Sequence, residues 1–205
     1  MPVKPGRRVG TVAGLYSAAS RGGRHPFVTQ AVESLPLDLA GIVGERHAGA
    51  TRKAGPREPW LPRGAVLRND RQVSALCPAE LSAIAARLDI SHLAPEWLGG
   101  NLLIAGLDGF SRIAPGSRLA FGGQWGGKGR FDGGAVLRVE AYNFPCRQAG
   151  RAVADAAGRA DLEFAFVKEA AALRGLVLSV DLAGPIMMGD PVVLLPPIVP
   201  KERVA

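Results

Sequence analysis

Only two cysteines, Cys77 and Cys146, occur in 205 residues, too few for the disulfide framework of a small secreted domain. Histidine is equally scarce: His25, His47 and His92 stand apart, and none has another His or Cys at the spacing of a structural zinc site. No apolar run approaches the roughly 18–20 residues that a membrane span needs. Residues 1–8 carry positive charge with no apolar stretch behind it, so no signal peptide is expected. Aromatic residues make up 6% and no block of five or more Lys/Arg occurs, which disfavours base-stacking surfaces and disordered basic arms as routes to nucleic acid. The glycine-rich segment 122–134 lacks the Gly-x-x-x-x-Gly-Lys-Ser/Thr of a phosphate loop, and no Gly-x-Gly-x-x-Gly joins a strand to a helix. A Gly-x-Ser-x-Gly elbow is missing too, and with it the serine-hydrolase signature. These absences leave a soluble protein with free thiols, expected in the cytoplasm.

What is present is glycine (27) and proline (16) in plenty, with 47% hydrophobic and 21% charged residues. That mixture builds a core but favours a turn-rich, mainly β architecture over a helical bundle. The formal charge is +7 and the isoelectric point about 10.1, so an anionic partner is implied, and a phosphate-bearing small ligand is the more economical choice.

Alternation predicts strands at 8–18, 31–35, 72–76, 101–104, 118–121, 135–141, 176–182 and 191–195. Pro36 is expected to end the second of these. Residues 50–64 read as a long surface loop, 122–134 as a glycine-rich hairpin loop, and Gly184-Pro185 as a turn. Leu81, Ile84, Ala85 and Leu88 form one face of a helix that starts behind Cys77-Pro78, and Leu162, Ala165, Phe166, Ala170 and Leu173 form a second. No repeat or long linker divides the chain. One domain is expected over 1–205, with its core at about 8–195 and a Pro-rich charged tail at 196–205.

The stretch Asn143-Phe144-Pro145-Cys146-Arg147-Gln148-Ala149-Gly150-Arg151 joins a strand-like run to a helix-like one. A thiol there lies near the positive end of a helix dipole, and Arg147 and Arg151 share one helix face. Such surroundings favour the thiolate, the form that attacks electrophiles, carries sulfur or ligates a soft metal. The other reading of Cys146 is a buried small hydrophobe, which is also the reading preferred for Cys77. His47, beside Glu45 and Arg46 in a glycine-flanked cluster, is either a binding residue or a solvated loop histidine. Arg68 and Arg71 suit bidentate recognition of phosphate or carboxylate, or else frame an ordinary strand entrance.

The order of these segments is more specific than any one of them. Gly44-Glu45-Arg46-His47-Ala48-Gly49, Arg71-Gln72-Val73-Ser74, Leu98-Gly99-Gly100-Asn101-Leu102, Asn143-Phe144-Pro145-Cys146 with Gly150-Arg151, Arg174-Gly175-Leu176 and Gly189-Asp190 together resemble the molybdenum-cofactor-sulfurase C-terminal (MOSC) domain family. The resemblance covers about residues 8–195 and implies a mainly β, barrel-like α+β fold. It implies a pterin-type molybdenum cofactor or a sulfur-transfer role, with Cys146 as molybdenum ligand or persulfide carrier and reduction of N-hydroxylated compounds as one activity. Arg46, His47, Arg71, Asn101, Asn143 and Arg147 are then the expected cofactor-binding residues. A small-molecule substrate or sulfur donor, with an electron-transfer protein, would be the partners. Pyridoxal phosphate, which serves the larger sulfurases, has no domain to hold it in 205 residues. The alternative is a module that binds an anionic ligand without turnover.

Overall fold

The computed structural model describes residues 8–18, 25, 27–126 and 130–197; residues 1–7, most of the expected tail (198–205) and the middle of the 122–134 segment (127–129) lie outside them. In chain order the strands are β1 (Val9–Ser17), β2 (Gln30–Ala31), β3 (Ser34–Asp38), β4 (Gly41–Ile42), β5 (Thr51–Lys53), β6 (Val66–Arg68), β7 (Val73–Leu76), β8 (Leu102–Ala105), β9 (Arg118–Trp125), β10 (Phe131–Tyr142), β11 (Leu176–Leu182), β12 (Gly184–Met187) and β13 (Pro191–Leu195). The helices are α1 (Pro78–Arg87), α2 (Arg147–Ala157) and α3 (Leu162–Glu169), with 3-10 turns at Pro95–Leu98 and Phe110–Arg112.

Seven strands pair in the order β13-β9-β10-β11-β7-β8-β1, and β1 pairs back onto β13, which closes a barrel. Closure leaves no unpaired sheet edge among these strands. Every pairing in the barrel is antiparallel except β7 with β8. A parallel pair needs a crossover, here α1 followed by the turn at Pro95–Leu98. Two small sheets, β12-β3-β4 and β5-β6, are separate from the barrel in hydrogen bonding, and Leu35, Ile42 and Ile186 of the first pack into the barrel core.

Period-two patterning decides what fills the barrel. Along β10 Ala135, Leu137 and Val139 are fully buried while Arg138 is exposed. They pack with Val12, Leu15, Phe110, Phe121, Leu178 and Val192, so the interior is a solid core and a ligand site must lie outside it. A second cluster joins Leu81 and Ile84 of α1, with Leu88 at its C-cap, to Val153 of α2 and Leu162 and Phe166 of α3. Truncating Phe166 to Ala would cost about 3–5 kcal/mol. Both cysteines are N-cap residues where a barrel strand hands over to a helix: Cys77 before α1 and Cys146 before α2. Among the described residues no helix is long and apolar enough to cross a membrane.

The structure departs from the sequence expectations in five places. Pro36 does not end its strand but lies inside β3, directly opposite Pro185, where neither residue is asked for a ladder N–H. Gly184-Pro185 accordingly belongs to strand β12 and not to a turn. Residues 50–64 are not all loop, because Thr51–Lys53 pairs with Val66–Arg68. The glycine-rich hairpin is shorter than expected, since Trp125 already pairs with Phe131. The helix expected to run through Ala170 and Leu173 stops sooner, since α3 ends at Glu169 and Ala172 adopts a left-handed conformation (φ 61°).

Candidate functional site

A cavity of about 510 Å³ opens outside the barrel, between the 46–48 turn, the β5 hairpin, the start of β7 and the N-terminus of α2. Among the described residues six Arg or Lys side chains line it, Arg46, Arg52, Lys53, Arg57, Arg71 and Arg174, against one carboxylate, Glu58. That carboxylate is already committed. Arg52 donates to Glu58 Oε1 and to Asp70 Oδ1, each at 2.8 Å, and the Gly55 N–H donates to Glu58 Oε2 at 3.0 Å. Arg52 and that N–H hold the Glu58 carboxyl down at about 2, and the same bonds raise Arg52 above its ordinary range. The net field in the cavity is positive.

Arg174 is its most constrained cation. Only 7% exposed, it donates from one terminal nitrogen to the Leu98 carbonyl at 2.9 Å, while its Nε has no hydrogen-bond partner among the described residues. Burial pushes its guanidinium down to about 10; charge on the Cys146 sulfur opposes that, and Arg71 and Arg57 add to it. Arg174 is fixed by the glycine after it. Gly175 sits at φ 78°, and a Cβ there would lie 2.0 Å from the Ala75 carbonyl oxygen, so only glycine lets this turn press against β7. The turn is tied by Asn143 N–H to Gly175 O at 3.0 Å and by Gly175 N–H to Ser111 Oγ at 2.7 Å.

Cys146 lies half-buried on the cavity wall as a free thiol. Its backbone is extended (φ −137°, ψ 158°), no side chain caps the helix, and its carbonyl accepts the Gly150 N–H at 3.0 Å. The first turn of α2 therefore leaves backbone N–H groups without intrahelical partners beside the sulfur. Cys77 is also a free thiol but is buried in the barrel core, and burial raises its pKa.

Behind the wall runs a buried polar network. Burial works against the charge on Glu45, yet bonds from the His47 ring and backbone, with one from the Ala18 N–H, hold its carboxyl below the ordinary value. Asn101 donates to Glu45 Oε1 at 3.4 Å and accepts the Ser74 N–H at 2.9 Å. Asn69 donates to the carbonyls of His47 and Gly49 at 2.9 and 3.0 Å and accepts the Arg71 N–H at 3.1 Å. Through these bonds the His47 turn and the Arg71 segment are set against each other.

The chain matches the family model of the MOSC domain over residues 46–193. The chain belongs to the MOSC domain family. It is 34% identical over 185 residues to YuaD of Bacillus subtilis (strain 168), a protein named for metal-sulfur cluster biosynthesis, covering 90% of this chain and 89% of that one. The crystal structure of Bacillus subtilis YuaD superposes with a TM-score of 0.82 at 33% identity, over 92% of this chain and 96% of that one. YiiM from Geobacillus stearothermophilus shares the fold at 14% identity and a TM-score of 0.58, over 91% of this chain and 75% of that one.

In this MOSC domain, Arg46, His47, Arg71, Asn101, Asn143 and Cys146 all line the one cavity although they come from separate segments. Arg147 does not. It is exposed, pairs with Glu163 and lies 4.7 Å over the Phe164 ring, and Arg151 joins the same carboxylate at 2.9 Å. The i, i+4 spacing places the two arginines on one face of α2, but that face is turned to α3 and away from the cavity. The cavity cation that feels the charge of the Cys146 sulfur is Arg174, and Arg71 lines the same cavity. Arg174 stands in the Arg-Gly-Leu motif of the sequence; Arg52, Lys53 and Arg57 were hidden in a stretch that read as surface loop.

Proposed function

We propose that this MOSC domain holds a pterin-type molybdenum cofactor, or a sulfur in transit, in the cationic cavity, with Cys146 as the molybdenum ligand or persulfide carrier. The observation that supports it most is the placing of a free thiol in the same cavity as Arg174, whose buried Nε lacks a partner among the described residues. A buried donor left unpaired costs about 1–3 kcal/mol, a cost that an anionic ligand would offset. The residues fit such a group. Arg57, Arg71 and Arg174 suit its phosphate, and among the described residues no three His, Cys, Asp or Glu side chains form a metal site of their own, so a metal held here would bring other ligands with it. A single thiolate then completes its coordination from the protein.

When bound, the cofactor would supply two-electron chemistry, such as reduction of an N-hydroxylated compound. The chain's own work is to present the sulfur at a helix N-terminus, to neutralise ligand charge with the arginines, and to keep Arg71 and the His47 turn in place through Asn69, Asn101 and Asn143. The name of YuaD, metal-sulfur cluster biosynthesis, is consistent with sulfur handling in this cavity.

The test is anaerobic reconstitution with the cofactor, followed by molybdenum analysis of wild type, Cys146→Ser and Cys77→Ser. Retention in wild type and Cys77→Ser with loss in Cys146→Ser is expected. Equal molybdenum in all three would remove Cys146 as ligand and leave an anion-binding module.

A further inference from the structure

Resting on the sulfur-carrier half of that reading, we propose that the cavity loads Cys146 from a sulfane-sulfur donor whose leaving group is an oxyanion of sulfur, the class of which thiosulfate, with sulfite as its leaving group, is the smallest member. Two independent observations meet here. One is the free, half-buried thiol of Cys146 at the mouth of α2. The other is the arginine group, Arg57, Arg71 and Arg174, which lines the same cavity. These arginines are close enough that Arg57 and Arg71 both push against the charge of Arg174, and that Arg57 pushes against Arg71.

The carboxylates nearby offset this charge only in part, because their oxygens are bonded elsewhere. Glu58 and Asp70 are taken up by the fork of Arg52, and Glu45 is bonded to His47, Asn101 and the Ala18 N–H. Arg71 donates to the neutral amide oxygen of Asn143 and Arg174 to the neutral carbonyl of Leu98. Three crowded guanidinium groups, two of them bonded to neutral partners and one bearing a buried Nε with no partner among the described residues, call for a ligand of more than one negative charge and several acceptor oxygens.

The chemistry of the donor follows from the thiol. A persulfide made from sulfide would need an oxidant. A sulfane donor needs none. The Cys146 thiolate attacks the outer sulfur of thiosulfate, a bond forms between Sγ and that sulfur, and the sulfur–sulfur bond of the donor breaks. The electron pair leaves on sulfite, and the protein keeps a persulfide anion. Atoms, charge and electrons balance with no other reactant. The arginines bind the donor's oxyanion and stabilise the sulfite as it departs.

Reduced protein is incubated anaerobically with thiosulfate, and peptide masses and released sulfite are measured. The expected result is one added sulfur on Cys146 and none on Cys77, with one sulfite released per sulfur gained; Cys146→Ser releases none. Arg57→Gln, on the exposed rim, slows consumption of the Cys146 thiol by thiosulfate about tenfold more than its consumption by an uncharged organic trisulfide, which leaves a mixed disulfide or trisulfide on the same sulfur. Arg174→Lys, checked for folding by circular dichroism, shifts that ratio in the same direction. Wild type whose Cys146 reacts with the trisulfide and not with thiosulfate would overturn the proposal, as would an unchanged ratio in both arginine variants. The molybdenum comparison is read separately: loss of metal in Cys146→Ser without thiosulfate loading leaves the cofactor reading standing and removes only this donor.

Discussion

Arg71 is held by an amide and not by a carboxylate: its guanidinium donates to Asn143 Oδ1 at 3.3 Å, and Asn143 donates in turn to Ser74 Oγ at 3.1 Å. The arrangement orients the cation while leaving its charge for the cavity. A carboxylate in place of Asn143 would hold the arginine as well and cancel what it offers to an anion.

Two substitutions separate these roles. Asn143 is 5% exposed, and Asn143→Ala strands Ser74 Oγ and one Arg71 donor, a loss of about 1–3 kcal/mol. At roughly 2–4 °C per kcal/mol for a chain of this size, the melting temperature should fall by about 2–12 °C. Asn143→Asp should keep more of that stability, yet sulfate should raise its melting temperature less than it raises that of wild type, because binding stabilises only in proportion to affinity. Scanning calorimetry with and without sulfate reads both. A wild-type response to sulfate in Asn143→Asp would show that Arg71 does not serve the anion.

The Arg52–Glu58 pair sets a pH dependence whose sign is fixed. The Glu58 carboxyl titrates at about 2 in the folded chain, against an ordinary 4.5. Its contribution is therefore fully present above pH about 4.5 and is lost as pH falls through that value towards 2. Glu58→Gln should be less stable than wild type near neutrality, and the two should converge in acid. Urea denaturation across this range measures the difference. A gap that persists unchanged down to pH about 2 would mean that the charge on Glu58 contributes nothing.

The barrel was legible because its strands obey period two: Leu137 and Val139 face the core and Arg138 faces out. The closed order was not legible, since the return of β1 to β13 joins the two ends of the chain and local pattern carries no pairing information. Pro36 misled because the rule against strand proline assumes a required N–H, and its partner Pro185 removes that requirement. In the site, the ordered motifs brought Arg46, His47, Arg71, Asn101, Asn143 and Cys146 to one cavity. Arg147 failed because helical spacing tells which residues share a face and not what the face meets; Glu163 and Phe164, which claim it, lie on the next helix. Arg57 carried no signal at all in a charged, proline-rich stretch. Arg174 did carry one, the glycine behind it.

Gly150 links the motif around Cys146 to packing. A Cβ at this position would lie 2.1 Å from the Glu163 carbonyl oxygen and 2.9 Å from its carbonyl carbon, backbone atoms that no rotamer change can move. Glycine there lets α2 lie directly against the start of α3, which fixes the helix whose N-cap is Cys146. Gly150→Ala should therefore force the two helices apart at an overpacking cost of about 1–3 kcal/mol, and should also alter the rate at which iodoacetamide labels Cys146. Gly55→Ala is the matched control. A methyl at Gly55 meets nothing within 4 Å, so its stability should stay within about 0.5 kcal/mol of wild type. If Gly150→Ala matched that control in both melting temperature and thiol labelling, the close approach of α2 to α3 would not be what holds Cys146 on the cavity wall.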